Sequence, residues 1–274
     1  MITVKPYGGL ANRLRVIDSS YQLAQELNQE IEVIWEMSSE LNCAFSKLFR
    51  IPDDIKFTER ALDSIFKKGI KKFKRLLLKL GFRVPFGYDK YFIDDEVFEF
   101  KNNPDIINNL RKYNNIYIET VHLFFKNSDS YTIYTPVEDI SRSVNTIRKQ
   151  FTSNTIGIHI RRTDNVLSIK HSPLSEFKRV IETELSNDSN VRFFLATDSP
   201  PDEEELKREY PGKIITYQKE ISRNSEKGIQ DALVDLLCLA ATKKIIGSYY
   251  SSFSDVASYM GGIELKLIYS ADKT

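Results

Sequence analysis

Apolar positions along the first 35 residues follow two different rhythms. Ile2 to Val4 is a short β-like run that meets the turn Pro6-Tyr7-Gly8-Gly9. Leu10, Leu14, Ile17, Tyr21, Ala24 and Leu27 then recur at intervals of three and four, the spacing of a helix with one buried face. Ile31 to Trp35 returns to a β-rich run. Strand, glycine turn, helix and strand predict a βαβ unit that opens a parallel sheet.

The pattern is weaker in the middle of the chain. It predicts a helix over 61–80, strands at Tyr91–Ile93 and Ile116–Val121, and a further helix at 104–112. The chain turns at Tyr134-Thr135-Pro136 and resumes a helical period through Ile140, Val144, Ile147 and Phe151. A domain boundary is placed there, giving domains 1–138 and 139–274. Beyond it, strands at 155–160, 191–196, 213–216, 244–246 and 265–268 alternate with helices at 174–186, 201–210, 228–242 and 252–260. This alternation predicts a second doubly wound sheet, so the expected fold is α/β with two Rossmann-like domains facing across a cleft.

Composition narrows the class. The 274 residues carry 41% hydrophobic and 28% charged side chains, the mix of a folded globular chain. A formal charge of +1 provides no global field for nucleic acid. No apolar run reaches the ~18 residues of a membrane span, and the first residues lack the order of a signal peptide, so a cytoplasmic protein is expected. Two distant cysteines, Cys43 and Cys238, exclude a disulfide framework and a thiolate zinc site. Three scattered histidines and the lack of an Asp-x-Asp pair after a strand leave no metal expected.

In open α/β sheets, ligands bind beyond the carboxyl ends of the strands. The residues at those positions are polar. The run Ile158-His159-Ile160-Arg161-Arg162-Thr163-Asp164 places two guanidiniums at a strand end, where each can clamp phosphate oxygens, with Asp164 in reach to orient one of them. A surface ion pair and a core histidine explain the same residues if the run is read alone. Gly8-Gly9-Leu10-Ala11-Asn12-Arg13 runs a glycine turn into a helix whose free amides suit an anion, though most such turns only redirect the chain. Ser251-Ser252-Phe253 opens another helix, as an anion site or a plain cap. Asp231 and Asp235 share a helix face, and Asp235, among leucines, is the one that needs a partner. Residues 67–83 hold eight basic side chains and no acidic one, interleaved with apolar residues. They suit an anionic membrane surface or an acidic partner, or equally a sheet-packed helix with a solvated lysine face.

Taken in order, these motifs carry a family resemblance. His159 to Asp164 resembles the H-x-R-R-T-D motif of α-1,6- and nodulation-type fucosyltransferases. Gly8 to Arg13 resembles the glycine-Asn turn near the start of α-1,2-, α-1,6- and protein O-fucosyltransferases. Phe194-Leu195-Ala196-Thr197-Asp198, and Asp235 followed by Gly247-Ser248 and Ser251-Ser252-Phe253, complete the pattern in the same order. The resemblance implies a GT-B fold and an inverting, metal-independent transfer of fucose from GDP-fucose to a glycan acceptor. It places the acceptor on the first domain and the nucleotide sugar on the second.

Carried over by position, the resemblance implies that Arg161 binds the β-phosphate and His159 and Asp235 read the guanine. Ser251 and Ser252 would meet the phosphates or ribose, and Asn12 would face the donor sugar. Asp198 stands at the family's acidic position, Arg162 and Asp164 shape the loop, and Gly8, Gly9, Arg13 and Phe253 complete the substrate-contacting set. Two departures stand out. Asn165 replaces the family's lysine, and Val166 to Lys170 lacks the glutamate that α-1,6 enzymes place there. The acceptor base is therefore unassigned, with Asp18, Glu36 and Glu119 as candidates. A different nucleotide sugar, or a non-catalytic sugar- or nucleotide-binding protein on the same scaffold, are the alternative readings.

Overall fold

The structure is a computed structural model that describes residues 1–61, 87–126, 131–163 and 165–270. Asp164, the basic stretch 67–83 and all but the first residue of the helix expected over 61–80 lie outside the described residues. The chain divides into two compact units. One is Met1–Ile133 with Arg223–Glu226, and the other is Tyr134–Ser222 with Lys227–Thr274.

The first unit contains β1 (Ile2–Pro6), α1 (Leu10–Leu27), β2 (Ile31–Met37), β3 (Ile55–Ala61), β4 (Lys90–Ile93), α2 (Ile106–Leu110) and β5 (Ile116–Thr120). Its strands form one parallel sheet in the order β3-β2-β1-β5-β4. Central β1 is buried along its whole length. Helix α1 buries the predicted stripe except half-buried Tyr21, and also buries Arg13, Asp18, Ser19, Ser20 and Gln22. It stops at Asn28, whose left-handed backbone (φ 54°) returns its N–H to the carbonyls of Ala24 and Gln25.

Strand β3 was not anticipated. Its outward positions are charged and are satisfied across the sheet: Lys56 pairs with Glu32 at 3.2 Å and Arg60 with Glu36 at 3.1 Å. On its other face Phe57 stacks on Phe45 at 4.2 Å, and Phe45 also meets the edge of Trp35.

The second unit contains α3 (Glu138–Arg148), β6 (Ile156–Ile160), α4 (Val166–His171), α5 (Leu174–Asn187), β7 (Phe193–Thr197), α6 (Pro200–Glu209) and β8 (Ile214–Ile215). It continues through α7 (Glu226–Ala240, all but its first residue), β9 (Lys244–Ser248), α8 (Ser252–Gly261) and β10 (Glu264–Ile268). Its sheet is also parallel, in the order β10-β9-β6-β7-β8. Two parallel-sheet α/β units are thus present, as the alternating pattern predicts.

One face of β6 builds the core. Ile156, Ile158 and Ile160 pack with Phe177, Val180 and Ile181 of α5 and with Phe193 and Leu195 of β7, each such side chain contributing ~1.5–3 kcal/mol by leaving water. The other face carries Gly157 and His159. A Cβ on Gly157 would lie 2.9 Å from Leu239 of α7, so this face of the strand lies directly under that helix. The period of two along β6 and the turn of α7 then bring His159 and Asp235 to the same side of the sheet.

Candidate functional site

Beside β6 the strand order changes direction: β7 and β8 extend to one side, β9 and β10 to the other. The carboxyl ends of β6 and β9 flank this switch point, where a ligand crevice opens in doubly wound sheets. Gly247 lets α8 approach there, since a Cβ would fall 2.7 Å from the Ser254 hydroxyl. Ser248 accepts the Arg161 backbone N–H at 3.0 Å and so ties the two strand ends together.

Asp198, at the end of β7, organises the loop that follows β6. Its carboxylate pairs with the Arg161 guanidinium at 2.5 Å and accepts the Arg162 N–H at 2.7 Å. It also accepts the Thr163 hydroxyl at 2.8 Å and, at longer range, the Thr163 N–H at 3.3 Å. Asp198 thus orients Arg161 and its loop; Asp164, which the sequence offered for that role, lies outside the described residues. Arg161 keeps 17% of its side chain exposed at this edge, charged and held in place.

Arg162 departs from the expected phosphate clamp. Its Nε donates to Asp202 at 2.8 Å and its Nη1 to the Ser172 carbonyl at 2.9 Å, with the guanidinium over the Phe177 ring. It fastens α6 to the start of α5, and its orientation is fixed by groups inside the unit.

His159 and Asp235 form a second cluster. The imidazole stacks on Phe253 with ring centroids 5.0 Å apart. Burial, with Arg161 and Lys219 nearby, holds it neutral, its pKa lowered to about 3. Its Nδ1 is buried without a partner. Asp235 bonds the Lys219 ammonium at 2.6 Å through Oδ2, in a pair only 5% and 10% exposed. Its Oδ1, also buried, has no partner. Burial pushes this carboxyl up to about 6 against the opposing pull of Lys219. The nearby Tyr217 hydroxyl gives its one hydrogen to the Asp231 carbonyl at 2.8 Å. Asp231 is satisfied by Lys227 and by the Glu220 N–H. Two buried polar atoms with open valences, on neighbouring elements, are unusual in a folded interior.

Ser251 stands at the N-cap of α8 in extended conformation, yet its hydroxyl makes no capping bond. The amides of the first turn of α8 and the Ser251 and Ser252 hydroxyls are therefore disposed around the same edge, both residues being half-buried. Asn165 caps α4 by accepting the Ser168 N–H at 3.0 Å and donates to the Tyr250 carbonyl at 2.8 Å. Asn165 thus links the arginine loop to the segment leading into α8.

In the first unit the glycine turn lies at the corresponding switch point, between β1 and β5. Gly8 has φ +80°, and a Cβ there would come within 3.1 Å of Asn12 Nδ2 and 3.3 Å of Val121. Gly9 caps α1 with no side chain, and half-buried Asn12 lies in the first turn. Arg13, grouped by sequence with the substrate-contacting residues, points inward instead. It is 1% exposed, donates to the Gly8 carbonyl at 2.8 Å, the Glu36 carbonyl at 2.5 Å and the Ser38 hydroxyl at 3.2 Å, and lies over Trp35. Burial lowers its pKa to about 10, which still leaves it charged at neutral pH.

The candidate bases are also engaged. Glu36 and Glu119 share the buried Lys5 at 3.6 and 3.2 Å, and Asp18 accepts the Tyr131 N–H at 2.5 Å. Among the described residues, no group of three or more His, Cys, Asp or Glu side chains could hold a metal ion. No described helix is long and apolar enough to cross a membrane. Lys219, Tyr217 and Asp202 were missed by the sequence reading. The sequence marked Asp235 as a residue whose burial needs an explanation, but nothing in it pointed to Lys219 as the partner.

No family model matches the chain, and no curated protein matches it. Solved structures do. The α-1,6-fucosyltransferase NodZ soaked with GDP-fucose superposes with a TM-score of 0.64 at 18% identity, over 94% of this chain and 92% of that one. A mutant of Arabidopsis thaliana FUT1 in complex with GDP gives 0.64 at 14% identity, over 99% and 70%. POFUT1 in complex with GDP-fucose gives 0.55 at 11% identity, over 97% of each chain. The chain has the fold of these fucosyltransferases.

Proposed function

We propose that this chain is a glycosyltransferase that moves fucose from GDP-fucose to a glycan hydroxyl, with inversion at the sugar carbon and without a metal. The observation that carries the reading is Arg161, fixed by Asp198 at the switch point of the second sheet, beside a buried His159–Asp235 cluster with open valences. The similarity in fold to proteins crystallised with GDP-fucose or GDP supports the choice of donor.

The chemistry follows from where charge develops. As an acceptor hydroxyl attacks the fucosyl carbon and gives up its proton to water, the bond to the β-phosphate breaks and negative charge accumulates on the departing diphosphate. Arg161 stabilises that charge, aided by the free amides and hydroxyls at the start of α8. These groups are set before reaction and interact more strongly with the diphosphate as it leaves, so they lower the barrier rather than only tightening binding. Asp235 and His159 seat the guanine, and Phe253 holds the imidazole plane. The first unit takes the acceptor.

Thermal shift with GDP, UDP, ADP and GDP-fucose tests the donor. A ligand at 100 times its Kd adds about 2.7 kcal/mol. Larger shifts with GDP and GDP-fucose are expected, unchanged by a chelator, together with GDP release in the presence of glycans. Arg161→Ala is expected to lower kcat by roughly 10²–10³ while the protein stays folded. A larger shift with UDP, or near-normal turnover in Arg161→Ala, overturns the reading.

A further inference from the structure

Lys219 lies outside every recognisable motif, yet its side chain is only 5% exposed. Its bond to Asp235 leaves the two carboxylate oxygens in different states. Oδ2 is 2.6 Å from the cation, while Oδ1 is buried with no partner. An ionised carboxylate accepts hydrogen bonds and cannot donate them, whereas a protonated one also presents a donor. The charge state of Asp235 therefore decides which base edge can meet Oδ1.

We infer that Lys219 is a positioning residue that keeps Asp235 an acceptor-only group and thereby sets selection for a purine edge bearing adjacent N–H donors. This inference rests on the proposed reading of the same site. Guanine offers two such donors, N1–H and the 2-amino group. Hypoxanthine offers only the first, and adenine presents an acceptor at N1. A buried acceptor left without a donor rejects the poorer edge more strongly than a solvated one does. The expected order of affinity is GDP, then IDP, then ADP.

Every group facing Asp235 is accounted for. Even with Lys219 in place, burial raises the carboxyl to about 6. Asp231, one turn earlier on α7, pushes it further up. Burial raises Tyr217 and Cys238 well above neutrality, and His159 is neutral down to about 3, so none of these three titrates between pH 6 and 9. Arg148 of α3 acts on Cys238 rather than on Asp235. Removing the Lys219 ammonium leaves burial and Asp231 opposed only by the weaker pull of the Tyr217 hydroxyl, and Asp235 takes up a proton near neutral pH.

The test is calorimetric titration of the 274-residue chain with GDP and IDP from pH 6 to 9, in wild type, Lys219→Met, Lys219→Arg and Asp235→Asn, with folding checked by circular dichroism. Wild type is expected to bind GDP with little pH dependence above pH 7 and to prefer it to IDP at least tenfold. Lys219→Met is expected to lose tenfold or more in GDP affinity at pH 7 and to recover as pH rises toward 9. Lys219→Arg is expected to restore the flat profile, and Asp235→Asn to lose the preference for GDP over IDP.

GDP binding by Lys219→Met that matches wild type at every pH overturns the role of Lys219. So does a uniform loss in that variant with no recovery at high pH. Should Lys219→Met fail to fold, a pH-dependent Lys219→Arg, or an Asp235→Asn that keeps the GDP preference, overturns it instead. Wild type that binds no GDP overturns the parent reading, an outcome distinct from indifferent Lys219 variants in a protein that does bind it.

Discussion

Replacing Asp198 is expected to release the loop that carries Arg161. In Asp198→Ala four hydrogen bonds go at once: from the Arg161 guanidinium, the Arg162 N–H, and the Thr163 N–H and hydroxyl. Thr163 is exposed, so water replaces its two bonds at little cost. The other two matter, because Arg161 and Asp198 are only 17% and 12% exposed. Hydrogen bonds to a charged group contribute about 1.5–3 kcal/mol each, and breaking a buried pair costs about 3–5 kcal/mol. A loss of about 3–5 kcal/mol in unfolding free energy is therefore expected. Asp198→Asn keeps an oxygen for the Arg162 N–H and is expected to lose about half as much. Urea denaturation followed by tryptophan fluorescence and circular dichroism reads the stability, and GDP titration well below the melting temperature reads the site. Weaker GDP binding should accompany the stability loss, since a loosened guanidinium must be reordered on binding. A loss below about 1 kcal/mol, or GDP affinity equal to wild type in the folded variant, would refute the anchoring role.

Further outcomes follow from the same geometry. Gly8→Ala is expected to cost about 1–2 kcal/mol from the left-handed backbone alone, read as a lower urea midpoint, with more from its approach to Asn12 and Val121. Arg13→Met strips donors from two carbonyls and a hydroxyl at a buried position and is expected to cost about 3 kcal/mol or more in the same assay. For His159, the unfolded chain binds a proton near pH 6.5 while the fold resists it until about 3. Its stabilising contribution is thus full above about 6.5 and is lost as pH falls through that window, on the order of 5 kcal/mol in all. His159→Gln should flatten the acid limb of the stability–pH curve, and an unchanged limb would contradict burial of the neutral ring. Asp235 acts in the opposite sense, since its raised pKa makes stability decline as pH climbs from 3.8 to about 6.

The parts of the fold that were legible are those whose burial has a single period. Helix α1 and strand β6 bury continuous stripes or runs, and their rhythms survive in the sequence. Strand β3 was hidden because its Lys56 and Arg60, which pair with carboxylates on β2 while still facing solvent, break up any apolar alternation. Helix α4 is six residues long and depends on the Asn165 cap, too short for a period to register.

The site divides in the same way. Arg161, Asp198, His159 and Asp235 were legible because each follows a strand or interrupts an apolar face. Arg13 and Arg162 carry the same charge in the same motifs, but what separates a brace from a ligand contact is the direction of the side chain. That direction is set by partners distant in sequence: Glu36 and Ser38 for one, Ser172 and Asp202 for the other. Lys219 sits in an irregular stretch 16 residues from its partner and is visible only once the chain is folded.

A crystal structure with GDP tests the central claim most directly. The account predicts the β-phosphate within hydrogen-bond distance of the Arg161 guanidinium and the guanine edge on Asp235 Oδ1. A diphosphate bound away from Arg161, or a base that leaves both Asp235 Oδ1 and His159 Nδ1 without a partner, would contradict it.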